Sequence, residues 1–235
     1  LIAASADDAG ALRRLGTYGF IKGATGYIVG AVHRGPNDLE DYGYLLEEVI
    51  LHATAIGLGT CWLGGTFTRS TFTRRFGGVE RGETIPAVAA IGNAGDDGAE
   101  RIRRREEGDR RLPAGELFFH QDFGEPLGLE RVDGYAAALE AVRMAPSATN
   151  KQPWRIVRRG DRWHFYLVRT RGYGKGSVLF TVLRIADLQR VDLGIAMCHF
   201  ELVARDQGRD GRWTVDDPGL PVPGPGVEYV VTWCG

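Results

Sequence analysis

Two segments of the chain concentrate the glycine, hydroxyl and amide residues that suit a flat polar ligand. The first, residues 57–65, reads GLGTCWLGG. Its glycines permit positive φ angles and let a ligand approach the backbone closely. The dinucleotide-binding pattern G-x-G-x-x-G would need glycine at position 62, which is Trp62, and it opens a helix, whereas this segment closes one. The other interpretation of the segment is a glycine-terminated helix end followed by a turn.

The second segment, residues 145–154, reads APSATNKQPW and lies between a predicted helix and a predicted strand. Its two prolines fix their own φ angles and restrict the preceding residues, which makes the loop stiff. It presents Ser147, Asn150 and Gln152, whose hydroxyl and amide groups suit a heterocycle that needs placed donors and acceptors beside apolar walls. A helix stop followed by Asx-type turns would explain the prolines but not the density of amides.

No other side chains have the spacing of a catalytic or metal site. The five histidines lack metal-ligand spacing, and there is no G-x-S-x-G nucleophile motif. A Cys198–His199 pair is disfavoured because neighbours on a helix point in different directions. The cysteines form no C-x-x-C pair, which predicts reduced thiols in a cytoplasmic protein without a bound metal. The three cysteines are Cys61, Cys198 and Cys234.

A strand–helix–strand series positions the first segment. A strand over 26–33 and a helix beginning near Asp38 precede it, and a strand over 84–92 follows. Asp38 and Asp41 are predicted to lie near the cap of this helix, and Gly57 marks its end. Apolar residues at three- and four-residue spacing predict the face that the helix turns toward the core. They are Leu45, Leu46, Val49, Ile50, Ala53 and Ile56.

A second series repeats that order along residues 163–235, with few identities and with no counterpart of the glycine segment. We interpret the two series as related α+β halves, 1–115 and 116–235, that form one structural unit. The elements predicted in the second half are a helix over 133–145 capped by Asp133, paired strands over 154–157 and 163–170, a helix over 184–207, a Pro/Gly loop over 218–226 and a final strand.

The composition is that of a packed globular protein. Of 235 residues, 43% are hydrophobic and 25% are charged, which excludes disordered and fibrous chains. The formal net charge of −1 argues against nucleic acid as the main partner, since phosphate binding needs a basic excess. No apolar run approaches the roughly 20 residues of a membrane span, so no membrane partner is expected.

As a set, these stretches resemble the FMN-dependent nitroreductase family. APSATNKQPW is similar to that family's S-x-N-x-Q-P-W stretch, and GLGTCWLGG to its G-L-G-x-C-W-x-G stretch. More narrowly, the chain resembles nitroreductases in which two halves are fused into one polypeptide. The resemblance, which runs from about Leu15 to about Pro218, implies an α+β nitroreductase-like fold, with mixed or antiparallel sheets flanked by helices. It also implies a monomeric pseudo-dimer or a homo-oligomer.

The resemblance also implies which residues bind the cofactor. Backbone N–H groups around Leu63, Gly64 and Gly65 would face the flavin N5 edge. From the other half, the ring or ribityl chain would be contacted by Pro146, Ser147, Asn150 and Gln152.

The phosphate-binding residues of that family are harder to assign here. Its R-x-S-x-R motif is not found, so we expect it to precede Leu1 or phosphate binding to be impaired. Guanidinium groups after the 84–92 strand suit a phosphate, although a solvated charge run is the other interpretation. These are Arg101, Arg103, Arg104 and Arg105. Lys22 would lie near the flavin N1/O2 edge or, alternatively, at the surface.

The implied function is an FMN-dependent NAD(P)H oxidoreductase. Hydride would pass from NADH or NADPH through flavin N5 to a small-molecule acceptor such as a nitroaromatic or a quinone, with ping-pong kinetics. The flavin would supply the chemistry, so no side chain is assigned a catalytic role. The alternative is a flavin-binding or ligand-binding protein without turnover.

Overall fold

The computed structural model describes residues 2–4, 24–64, 80–93, 110–128, 132–173 and 185–235. The elements up to the predicted boundary between the halves are β1 (Ile2–Ala4), β2 (Ala24–Val29), β3 (Val32–His33), α1 (Asp38–Ala55), β4 (Leu58–Leu63), β5 (Glu83–Thr84), β6 (Val88–Asn93) and α2 (Ala114–Leu117), which spans that boundary. They are followed by β7 (Phe118–His120), α3 (Ala136–Met144), a 3-10 turn (Ala148–Asn150), β8 (Trp154–Arg159), β9 (Arg162–Val168), α4 (Leu188–Asp206), β10 (Arg212–Thr214) and β11 (Val227–Cys234).

The described strands form two larger sheets and one short ribbon. The first sheet has the order β1-β2-β6-β4 and is antiparallel throughout. The second has the order β10-β11-β9-β8-β7, in which only β7 and β8 run parallel. Strands β3 and β5 pair with each other. The predicted hairpin of the second half is confirmed, since β8 and β9 pair in register around Gly160.

Helix α1 has nearly the predicted bounds but a different buried face. Tyr42, Leu46 and Ile50 pack on the first sheet, whereas Leu45 is 59% exposed and Ile56 is 65% exposed, so their prediction as core residues is wrong. The buried face is rotated relative to the predicted one because α1 packs against two partners at once, the sheet on one side and α4 on the other. The α4 side buries Gly43, which a hydrophobic pattern does not detect.

The predicted acidic start of α1 is confirmed, since Asp38 and Asp41 lie in its first turn, whereas the predicted cap of α3 is wrong. The residue before α1 is Asn37, and Asp38 lies inside the first turn, where its carboxylate pairs with Arg190 at 3.0 Å. Asp133 precedes α3 in a left-handed conformation (φ 43°) and pairs with Arg158 instead of capping the helix. In both cases an ion pair with a distant element takes the carboxylate.

Helices α1 and α4 cross at very close range because each has a glycine at the contact. A Cβ on Gly43 would overlap the carbonyl of Val191, and a Cβ on Gly194 would overlap the carbonyl of Glu40. The two contacts are reciprocal, since each glycine meets the residue three positions before the other glycine. Arg190 then spans the crossing and donates to Glu40, whose carboxylate is almost fully buried.

The largest hydrophobic core lies under the second sheet, between it and helices α3 and α4. Trp154, Trp163, Phe165, Phe200 and Trp233 are its largest members, and all are fully buried. Residues of the first half complete this core, because Leu39, Tyr44 and Trp62 pack against it. Within the described ranges, no helix has the length and apolar character needed to cross a membrane.

Candidate functional site

The N-terminal half of α4 brings the two sequence segments together. A Cβ built on Gly64 would lie 2.8 Å from both δ carbons of Leu188, so the backbone at the end of β4 rests directly on that side chain. The backbone N–H of Ala148 donates to Oδ1 of Asp192 at 2.9 Å. Leu188 and Asp192 are four residues apart and therefore share one face of the helix, about 6 Å apart along it. Both segments meet α4 within one turn.

Most of the glycine segment is a strand and not a loop. Gly57 has a φ of 89° and ends α1, as predicted, with its N–H donating to the Thr54 carbonyl at 2.9 Å. The chain then enters β4, which pairs with β6 from Leu58 to Leu63. Leu63 is buried and Gly64 is half-buried, while Gly65 lies outside the described residues. The strand fixes the direction in which the chain reaches α4.

A polar bridge holds β4 against both helices. The indole Nε1 of Trp62 donates to Oε2 of Glu47 at 2.7 Å, and Nε2 of His199 lies 2.9 Å from Oε1 of the same carboxylate. The Glu47 side chain is only 2% exposed. His199 therefore faces Glu47 on α1. The bridge ties the position of Trp62, and hence of Gly64, to the crossing of the two helices.

The 145–153 loop, which connects α3 to β8, is strained. Among the described residues, five non-glycine residues have positive φ angles, and three of them lie in this loop: Thr149 at 49°, Asn150 at 51° and Gln152 at 48°. Each such conformation costs about 1–3 kcal/mol and persists only where the surroundings impose it, most often at binding and catalytic sites. The observed strain therefore points to a functional role for this loop.

The predicted site residues in this loop differ in what they contact. Pro146 is exposed and Ser147 is half-buried, and Ser147 Oγ accepts a hydrogen bond from the Gln152 N–H at 2.9 Å. The buried amide of Gln152 accepts from the Leu112 N–H at 2.9 Å and donates to the Arg110 carbonyl at 3.2 Å. Asn150 Nδ2 also donates to the Arg110 carbonyl, at 2.7 Å. These two amides hold the loop on the 110–112 segment, which imposes its conformation.

Two guanidinium groups flank the loop. Arg111 donates to Asn150 Oδ1 at 3.2 Å and to the Met144 carbonyl at 3.0 Å. Arg155 donates to the carbonyls of Gln152 at 3.1 Å and Trp154 at 2.7 Å. Burial lowers the pKa of Arg155, although Glu116 opposes the shift. The cations predicted for this site lie outside the described residues; they are Lys22, Arg101, Arg103, Arg104 and Arg105.

Asp192 is a candidate site residue that the sequence did not predict. It is 3% exposed, and its Oδ2 has no hydrogen-bond partner in the structure as described. Burial raises the pKa of this carboxyl well above its ordinary value; the Asp187 carboxylate adds to the shift, and the Ala148 N–H opposes it. The available signal was a lone acid at the start of an otherwise apolar stretch, VDLGIAMC. Buried acids of this kind are candidates for functional sites.

Comparison with known proteins gives two matches. A family model described as "Putative TM nitroreductase" matches residues 2–204. A solved structure from Thermotoga maritima, described as a "putative nitroreductase", is 22% identical and has a TM-score of 0.51 over 88% of this chain and 70% of that one. At this identity the structural likeness shows the fold alone. A search of the curated proteins found no match. Because the family model spans most of the sequence, the chain belongs to this nitroreductase family and has a nitroreductase-like α+β fold.

Proposed function

We propose that the protein is an FMN-dependent NAD(P)H oxidoreductase of the nitroreductase type, with FMN held between the end of β4 and the 145–153 loop. One observation carries the proposal. Gly64 and Ala148 meet the same face of α4 within one turn, at Leu188 and Asp192, and an unpartnered carboxyl oxygen lies there. A site assembled from two distant segments around an unmet polar group is what a bound heterocycle needs.

The residues present fit a flavin in three respects. Gly64 is half-buried, so a flat ring would approach its backbone on the side that Leu188 does not cover. The other segment offers the hydroxyl of Ser147 and the exposed ring of Pro146. Arg111 and Arg155 beside the loop supply positive charge for an anionic cofactor. Asn150 and Gln152 support the proposal as residues that hold the loop in place, whether or not they also contact the ligand.

Bound FMN would supply the hydride chemistry, from NADH or NADPH to a nitroaromatic, a quinone or a similar acceptor. The chain would bind and orient the ring, and Trp62 and Leu188 would exclude water on the α4 side. No side chain needs to form a covalent bond, so the protein contributes position and electrostatics. The two halves would supply the two sides of one site, so that a single chain is sufficient.

The test begins with the purified full-length protein and FMN. We expect the visible absorbance of oxidised flavin to remain with the protein after gel filtration, and NADH or NADPH to bleach it. A nitroaromatic or a quinone should then restore the colour, with parallel lines in a ping-pong analysis. A protein that stays colourless after FMN is added contradicts the proposal. Flavin that is retained but not bleached by either nucleotide would instead support a binding protein without turnover.

A further inference from the structure

Asp192 carries a buried carboxyl oxygen without a hydrogen-bond partner in the described structure, at the point where the two segments meet. Its Oδ1 accepts the Ala148 N–H at 2.9 Å, and its Oδ2 has no partner in the described structure although the residue is fully buried. A buried polar atom without a partner costs about 1–3 kcal/mol. Native proteins contain few such atoms, and an absent ligand is one of the ordinary explanations.

The surroundings of Asp192 favour the neutral acid. The residue is 3% exposed, and burial is the main reason that its pKa is raised. The Asp187 carboxylate, which adds to the shift, is itself paired with Arg169 at 2.6 Å. Since Oδ1 accepts a hydrogen bond, the proton of the neutral acid is on Oδ2. Asp192 therefore offers one O–H donor that nothing in the described structure accepts.

The bound group must then present an acceptor at this place. A flavin ring carries two carbonyl oxygens, which accept hydrogen bonds and bear no full charge. Resting on the function proposed above, we propose that Asp192 binds the flavin directly, with its Oδ2–H donating a hydrogen bond to a carbonyl oxygen of the isoalloxazine ring. The same residue holds the Ala148 N–H through Oδ1, so it links the loop to the ligand.

The experiment compares three variants with the wild type. Asp192→Asn keeps an oxygen for Ala148 and puts an N–H donor where Oδ2 was. Asp192→Leu and Asp192→Ala remove both groups, and two of them are used in case one does not fold. Asp206→Asn, at the exposed end of α4, is the control for an Asp-to-Asn substitution away from the site. Kd is measured from flavin fluorescence for FMN, riboflavin and lumiflavin, which share the ring but differ in the chain and the phosphate.

We expect Asp192→Leu and Asp192→Ala to raise the Kd of all three flavins about tenfold, which corresponds to about 1.4 kcal/mol. Asp192→Asn should stay within about twofold of the wild type, since it retains a donor. Infrared spectra of the bound flavin separate a direct contact from a role in holding the loop. A carbonyl band should move to higher frequency in Asp192→Leu and Asp192→Ala, and return toward the wild-type position in Asp192→Asn.

Two outcomes would overturn the inference while leaving the proposed function intact. The wild type binds FMN, but Asp192→Leu and Asp192→Ala bind it as tightly as the wild type. Alternatively, affinity falls in these variants while the carbonyl bands of the bound flavin keep their wild-type frequencies. That result would mean that Asp192 holds the loop but does not contact the flavin. A wild type that binds no flavin contradicts the proposed function itself.

Discussion

Gly64 lies where the end of β4 packs on the side chain of Leu188. Any Cβ there would lie 2.8 Å from both δ carbons of Leu188, which is itself buried. We expect Gly64→Val to abolish FMN retention, because the strand end must move away from α4 to admit the branched side chain. The measurement is flavin absorbance after gel filtration, together with thermal unfolding to show that the variant still folds.

Gly35→Ala is the control for that prediction, since a Cβ on Gly35 would meet no atom within 4 Å. The double variant Gly64→Ala/Leu188→Ala makes space for the added methyl group. It should retain more FMN than Gly64→Ala alone. Full retention by Gly64→Val would show that the end of β4 does not border the ligand.

His164 should make the fold sensitive to acid. Its Nδ1 lies 2.8 Å from Thr232 Oγ1 in the interior, and burial is the main reason that its pKa falls to about 4, with Arg159 and Arg162 adding to the shift. The unfolded chain, with an ordinary His pKa of 6.5, binds a proton more readily. The stability from neutral His164 is thus complete above pH 6.5 and is lost as the pH falls toward 4.

The check on His164 is urea unfolding of the wild type and His164→Gln between pH 4 and pH 7. Glutamine can keep a bond to Thr232 but does not titrate. The wild type should lose about 2–3 kcal/mol more than the variant over this range, given about 1.4 kcal/mol per pKa unit. His33→Gln, at an exposed position, should follow the wild type. Equal losses in wild type and His164→Gln would rule out His164 as the cause.

At the residue scale, the sequence singled out two segments that α4 brings together, but it did not predict the contacts of their side chains. The residue types of Asn150 and Gln152 predict a polar loop, yet their amides bind Arg110 and Leu112, about forty positions earlier in the chain. For Asp192 the sequence offers only a weak signal, an acid at the start of an apolar stretch of the helix. Its importance depends on burial and on Ala148, which only the tertiary structure supplies.

At the scale of elements, the crossing of α1 and α4 sets the site, because the bridge through Glu47 ties β4 to both helices. Gly194→Ala should drive a methyl group into the carbonyl of Glu40. A backbone atom cannot be displaced as a side-chain end can, so we expect a loss of more than about 3 kcal/mol in the free energy of unfolding. Gly224→Ala, where a Cβ would meet nothing within 4 Å, should change it by less than about 0.5 kcal/mol.

Chemical denaturation of both glycine variants measures this difference. Similar stability of Gly194→Ala and the wild type would mean that the helices can separate at no cost. In that event the position of Gly64 could not depend on the crossing.

The crossing of α1 and α4 also explains why the predicted buried face of α1 was wrong. Apolar periodicity identified α1 and α4, and their observed bounds, Asp38–Ala55 and Leu188–Asp206, lie within one to four residues of the predicted ones. Apolar periodicity placed Leu45 on the buried face because it counts only apolar residues. In the structure, α1 instead buries Glu40 and Glu47 against α4. A buried carboxylate with a partner on another helix looks like a surface residue in the sequence.

At the scale of the whole molecule, the first half completes the core of the second. Leu39, Tyr44 and Trp62 pack on the large core beneath the second sheet, and Arg190 of α4 donates to Glu40 of α1. Neither half can be removed without exposing apolar surface of the other and leaving a buried carboxylate unpaired. We therefore propose that the boundary between 1–115 and 116–235 divides the sequence but does not separate two units that unfold independently.

We accordingly expect one cooperative unfolding transition for the whole chain, and FMN should raise its midpoint. A ligand that binds only the native state at 100 times its Kd stabilises that state by about 2.7 kcal/mol. For a chain of this length, that corresponds to roughly 5–10 °C in Tm. Calorimetry with and without FMN checks both points, and riboflavin at the same multiple of its own Kd should give the same shift. Two transitions, of which FMN moves only one, would mean that the halves fold independently and that the cofactor is held by one half alone.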